Sequence, residues 1–186
     1  MNKVNLGCGL NYKEGWINVD SDNTLKKVDV VWNLNNIPYP FKSNSIDRIY
    51  IAHVLEHLDE VYEVLKEMHR ICKKGAIIEI YVPYFNNYNA FRDLSHKQFF
   101  TWDSFSPVAL GRTKTDKKGR GIISYQKRLF NYKSRRLKWA STNKPILKQI
   151  AKFIEWCVNI NPNWLERRIP FWITCESMRI ELEVLK

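Results

Sequence analysis

Two short apolar strands and the turn between them constrain this chain more than anything else in it. Val4-Asn5-Leu6 runs into Gly7-Cys8-Gly9, and Gly15-Trp16-Ile17-Asn18-Val19 ends on Asp20. Glycines at such a turn let the backbone bend sharply and let a ligand come into van der Waals contact, because no Cβ intervenes. An acid at the tip of the neighbouring parallel strand can accept two hydrogen bonds from a ribose diol. The pattern predicts a nucleoside cradle at the carboxyl edge of a sheet. Gly9 and Asp20 are only 11 positions apart, too few for a helix and its two connections. The first crossover is therefore expected to be a loop, Leu10 to Gly15.

The rest of the first half reads as an α/β sheet with a parallel core. Further strands are expected over Val28–Trp32, Ile46–Ala52 and Ala76–Val82, the last closed by Pro83. Between Asp59 and Lys74, Val61, Val64, Leu65, Met68, Ile71 and Cys72 form one helical face, with Gly75 as its stop. Beyond Pro83 the chain turns rich in Asn and aromatics, and Tyr84 to Phe105 is expected to roof the carboxyl edge. Strands are expected over Ile122–Tyr132 and Arg136–Ala140, flanking a basic turn. An amphipathic helix over Pro145–Val158 and a last strand over Met178–Leu185 complete the chain. All 186 residues are read as one domain, with 84–145 as roof and basic insertion on the substrate side.

Charge is unevenly placed. Of the net +11, the segment 112–152 holds fourteen Lys and Arg against one acid, Asp116, while the rest of the chain is nearly balanced. Such a block attracts polyanions or an anionic membrane face, in a salt-sensitive way. No apolar run is long enough to span a membrane, and the N-terminus enters a strand at once, so no signal peptide is expected. Cys8, Cys72, Cys157 and Cys175 lack paired spacing, which speaks against a disulfide framework or a zinc knuckle. A reduced, cytoplasmic protein is expected, with peripheral membrane contact through the basic region allowed.

Further stretches extend the pattern of the opening. They are Val30-Val31-Trp32-Asn33-Leu34, Ile37-Pro38-Tyr39-Pro40-Phe41, Ser45-Ile46-Asp47, His53-Val54-Leu55-Glu56-His57 and Asp93-Leu94-Ser95-His96-Lys97-Gln98-Phe99-Phe100. In order and spacing from Val4 to Phe105 they resemble class I S-adenosylmethionine (SAM) methyltransferases, in particular the small type 11-like subgroup with an H-V-L-E-H motif. The resemblance implies a Rossmann-like α/β fold, a mostly parallel sheet with late antiparallel strands, here with the first crossover helix replaced by a loop. It implies SAM as cofactor, held by Asn5, Gly7, Cys8, Gly9, Asp20, Asn33, Leu34 and His53. Asn5 stands where most of the family has an acid. On the acceptor side it implies His57, Arg92, Asp93 and His96, with His96 and His53 as candidate bases.

Methyl transfer asks the protein mainly to align nucleophile, methyl and sulfur and to exclude water. A base helps if the acceptor is a hydroxyl, and histidine suits that role near neutrality. The resemblance associates this subgroup with sugar or glycan hydroxyls, and the Asn- and aromatic-rich roof suits sugar rings. The Pro145–Val158 helix can lie along a membrane interface, where a lipid-linked glycan would be found. RNA is the rival acceptor, through the 112–152 charge. A non-catalytic module docking on nucleic acid or membrane is the alternative outside enzymology. His53-x-x-Glu56-His57 also matches the inverted zinc-protease motif H-x-x-E-H. It begins where strand four should end, and residues 104–154 offer only Asp116 as a further acidic ligand, so no metal site is expected.

Overall fold

The computed structural model describes residues 1–110, 127–139, 145–168 and 173–186. Among these residues seven strands form one sheet: β1 (Lys3–Leu6), β2 (Ile17–Asp20), β3 (Val30–Val31), β4 (Ile46–Ala52), β5 (Cys72–Pro83), β6 (Phe130–Lys138) and β7 (Ser177–Val184). Their order is β3-β2-β1-β4-β5-β7-β6. The first five pair in parallel, and β7 enters antiparallel between β5 and β6. This is the class I methyltransferase arrangement that the sequence implies, late antiparallel strands included. The strand order reverses beside β1, so the carboxyl ends of β1, β2 and β4 open onto one crevice.

The loop crossovers decide which face of the sheet is covered. The connections β1–β2, β2–β3 and β3–β4 contain no helix, and the alternating strands answer this by being one-sided. Ile49, Ile51, Ile78, Ile80, Ile180 and Leu182 are buried on one face, under α1 (Val61–Ile71). The other face carries a polar and aromatic ladder. Glu79 there accepts from Arg48 at 2.9 Å, Arg179 at 2.8 Å and the Tyr81 hydroxyl at 2.9 Å. Tyr50 packs between Trp16 and Tyr81. On α1 the buried Glu67 takes the Tyr39 amide and a two-pronged contact from Arg70. Burial alone would raise the Glu67 pKa, but Arg70 and the Tyr39 amide outweigh it and hold the carboxyl below the usual glutamate range.

Several boundaries differ from expectation. The helix stops at Ile71, and β5 begins at once, with Cys72 paired to Ile46. Gly75 lies inside that strand at φ +76° and does not stop the helix. The basic turn expected near Lys133 is absent: Phe130–Lys138 is a single strand that absorbs Lys133 in a register shift between Tyr132 and Ser134. Pairing to β7 along its whole length outweighs like-charge repulsion among these exposed side chains. The part of the expected Ile122–Tyr132 strand before Lys127 lies outside the described residues. Two helices escaped the sequence reading: the short α2 (Ser106–Leu110) and α4 (Pro162–Arg168), which follows α3 (Pro145–Ile160) almost directly.

Candidate functional site

The glycine turn and the acid sit where the pattern places them, at adjoining carboxyl ends of β1 and β2. Gly7 and Gly9 adopt φ +64° and +49°. A Cβ on Gly9 would meet nothing within 4 Å, whereas one on Gly7 would lie 2.3 Å from Val54 Cγ2. Gly9 thus leaves room for a ligand, and Gly7 leaves room for the next strand's turn. Asp20 accepts the Gly9 amide at 2.8 Å through Oδ2 and the Asp22 amide at 3.1 Å through Oδ1. One carboxylate therefore fixes the cradle's rim and keeps lone pairs for a diol. Open space over Gly9 beside a half-buried acid fits the ribose end of SAM.

The other residues expected around the cofactor act more indirectly. Asn5 is buried, and its amide donates to Asn11 O and Asn18 Oδ1, so it braces the loop from beneath. The Cys8 thiol is buried; desolvation first, then the nearby Asp20 charge, push its pKa up. Asn33 is exposed and its Oδ1 accepts the Asn35 amide, as a turn former does. Leu34 is buried in the core and its carbonyl accepts from Tyr39 OH. Its side chain packs the sheet below the crevice, which leaves Asn33 the exposed member of the pair.

His53 closes β4 in an unusual way. Its backbone sits at φ +55°, a region non-glycine residues rarely occupy and one that tends to mark functional sites. The Tyr81 carbonyl holds its amide at 2.9 Å. This turn swings the imidazole outward, more than half exposed, with Nδ1 3.3 Å from Glu56 Oε1. Glu56 itself is buried, and its Oε2 has no hydrogen-bond partner among the described residues.

The roof folds back onto this segment. The Lys97 and Gln98 amides both donate to Glu56 O, at 2.7 and 3.1 Å, and Lys97 Nζ reaches Asp59 at 2.5 Å. Two motifs about forty residues apart in sequence are thereby clamped together. Asp93 accepts the Ser95 amide and hydroxyl, which hold its carboxyl below the usual range. Ser95 Oγ lies 2.9 Å from His57 Nδ1, and His96 Nδ1 lies 2.9 Å from Ala90 O. The His57 and His96 rings meet edge to face at 4.7 Å.

All five acceptor-side expectations, His53, His57, Arg92, Asp93 and His96, line one cavity of about 540 Å³. Glu56, Asn89, Lys138, Glu176 and Ser177 line it too. The last three come from the ends of β6 and β7, and no motif in the sequence marks them. A second groove of about 810 Å³ shares Lys138 and Ser177 with this cavity and adds Arg136, Lys152 and Arg179. Arg135 lines that groove as well but is committed to the fold. It donates to Trp102 O at 2.8 Å and stacks on Trp102 and Tyr132.

Residues 6–80 match a family model described as a methyltransferase domain. No curated protein matches the sequence. Among solved structures, a SAM-dependent methyltransferase from Archaeoglobus fulgidus superposes with TM-score 0.60 at 16% identity, covering 98% of this chain and 85% of that one. A chain from the complex of the Haloferax volcanii Trm112 methyltransferase activator with a methyltransferase gives 0.57 at 11% identity, covering 100% and 83%. The [4+2]-cyclase SpnF gives 0.50 at 12% identity, covering 98% and 75%. Residues 6–80 thus match a methyltransferase domain, and the chain as a whole shares the fold of these solved structures.

Proposed function

We propose that this chain is a SAM-dependent methyltransferase that acts on a hydroxyl of a sugar or glycan. One observation carries the reading: the histidine-lined cavity abuts the glycine turn, because Gly7 packs directly on Val54, the residue after His53. When bound, SAM supplies a methyl already activated on a sulfonium. The protein must then seat an acceptor oxygen and take its proton. His53 suits the second task. Glu56 Oε1 can hold its Nδ1–H, which leaves the exposed Nε2 to receive the proton as the new oxygen–methyl bond forms. Exposed Tyr88 and the stacked pair Phe91 and Phe99 stand on the roof beside the cavity and offer ring faces to a saccharide. Labelled methyl from SAM is expected in a glycan acceptor, with kcat lowered about hundredfold in His53→Ala. Label recovered in RNA, or a His53→Ala enzyme as fast as wild type, overturns the reading.

The same proposal places the acceptor at an anionic membrane face, as a lipid-linked glycan would be. Helix α3 is apolar on two opposite sides. Ala151 and Val158 are buried, and Asn159 brackets Leu137 N and O at 2.8 Å each along the outer edge of β6. At about 100° per residue, Ile150, Phe153, Trp156 and Ile160 face away from that contact. Phe153 is 64% exposed, Trp156 63% and Ile160 64%, and Trp164 on α4 is 55% exposed. Exposed Lys148, Lys152, Arg167 and Arg168 share these two helices. Bulky apolar side chains among cations complement an anionic bilayer interface. A second copy of the chain would bring the same cations face to face. No helix among the described residues is long and apolar enough to cross a membrane.

Phe153→Ser/Trp156→Ser removes two exposed rings and is expected to leave the fold intact. Its binding to vesicles of equimolar phosphatidylcholine and phosphatidylglycerol should weaken more than about tenfold. Unchanged binding, a dimer that the double mutant dissolves, or binding to RNA in place of vesicles would each count against the membrane face.

A further inference from the structure

We propose that Glu56, His57 and His96 bind a single divalent transition-metal ion in the histidine-lined cavity. Each residue offers one ligand atom, and these atoms lie within 4.8 Å of one another. Ligands about 2.0–2.2 Å from one tetrahedral ion stand roughly 3.3–3.6 Å apart. Closing the set therefore takes a side-chain adjustment of up to about 1.5 Å. The expectation of no metal rested on a missing third ligand in the downstream chain. His96 supplies it from the roof loop, and the ligand set is not that of H-x-x-E-H, because His53 turns to Glu56 Oε1 instead.

Two independent observations point to a cation. The first is Glu56, only 1% exposed, whose buried Oε2 has no hydrogen-bond partner among the described residues. A buried carboxylate oxygen is costly unless a proton, a donor or a cation meets it. The second is the tautomeric state of both imidazoles, which follows from their partners. A backbone carbonyl only accepts, so His96 Nδ1 carries the hydrogen toward Ala90 O, and Nε2 keeps its lone pair. Ser95 Oγ spends its one hydrogen on Asp93 Oδ1 at 2.7 Å, so His57 Nδ1 must donate to Ser95, and its Nε2 also keeps a lone pair. Metal-binding histidines are oriented in this way, through the other ring nitrogen. Two imidazoles and one carboxylate suit zinc, manganese or iron over magnesium or calcium.

Three protein ligands leave at least one coordination position open. On the acceptor reading above, on which this role rests, that position takes the acceptor oxygen. Ion binding itself does not depend on that reading. Tag-free protein stripped with chelator and titrated calorimetrically with zinc or manganese chloride should take up one ion per chain. His96→Ala and Glu56→Gln should each weaken uptake at least tenfold, with SAM binding kept. Ser95→Ala retains every ligand and sits on the surface, so it tests the site even if Glu56→Gln fails to fold. It should weaken uptake about tenfold by releasing the His57 tautomer. No saturable uptake of either ion by wild-type protein that binds SAM overturns the proposal, as does equal uptake by wild type, His96→Ala and Ser95→Ala. Failure to bind SAM would instead sink the cradle and leave the ion result standing.

Discussion

Gly7→Ala is expected to destabilise the protein by about 2–5 kcal/mol, a large share of the stability of a domain this size. Two terms contribute. A left-handed backbone costs an alanine about 1–2 kcal/mol, and forcing a methyl into a filled space adds about 1–3 kcal/mol. The space is filled by Val54: both of its γ-carbons and its Cβ lie within 3.2 Å of where the alanine methyl would stand, the nearest at 2.3 Å. Valine is stiff at χ1 and cannot swing clear. Thermal unfolding should shift down by roughly 5–15 °C. Adding Val54→Ala should recover the crowding term and leave the backbone term. Gly9→Ala meets no neighbouring atom and should cost only the backbone term, while its methyl obstructs the ligand's approach. Equal melting temperatures for Gly7→Ala and Gly9→Ala would contradict this division of labour between the two glycines.

That division is not legible in the sequence, where both glycines read as ligand-facing. What can be read is the set of features that local chemistry dictates. Gly-x-Gly at the end of a short strand, an acid ending the next strand, and an interval too short for a helix are enough for the cradle and its loop crossover. The histidine motifs are legible through their order along the chain, and the cavity brings all five named acceptor-side residues together. Features set by distant partners stay hidden. Gly75 reads as a helix stop by composition, yet Cys72 pairs with Ile46 and ends the helix earlier. The resemblance implies Leu34 as a cofactor contact, yet the core claims its side chain. Lys138, Glu176 and Ser177 enter the cavity only because β7 inserts between β5 and β6. The outward face of α3 is hidden in the same way. Its apolar residues read as a single stripe, and the structure turns Ile150 and Phe153 to solvent while burying Ala151 and Val158.

Asp20→Ala should lower affinity for SAM and S-adenosylhomocysteine by roughly 10²-fold or more. Two ribose hydrogen bonds to a carboxylate are lost, each worth about 1.5–3 kcal/mol, and each 1.4 kcal/mol is a factor of about ten. The structure adds a second route to the same loss, because the Asp20 carboxylate also holds the Gly9 amide at 2.8 Å. Removing it frees the rim of the cradle, so part of the effect would be disorder in the turn and not a missing ribose contact. Asp20→Asn separates the two. Its amide oxygen can still accept from Gly9 N–H, which keeps the turn in place, but it lacks the charge and one of the acceptors a diol uses. Should the rim dominate, Asp20→Asn binds nearly as wild type does. Should the ribose contact dominate, Asp20→Asn stays at least tenfold weaker while Asp20→Ala is weaker still, and this is the expected order. Calorimetric titration of the three proteins reads the difference, and equal affinity in all three would remove Asp20 from the cofactor site.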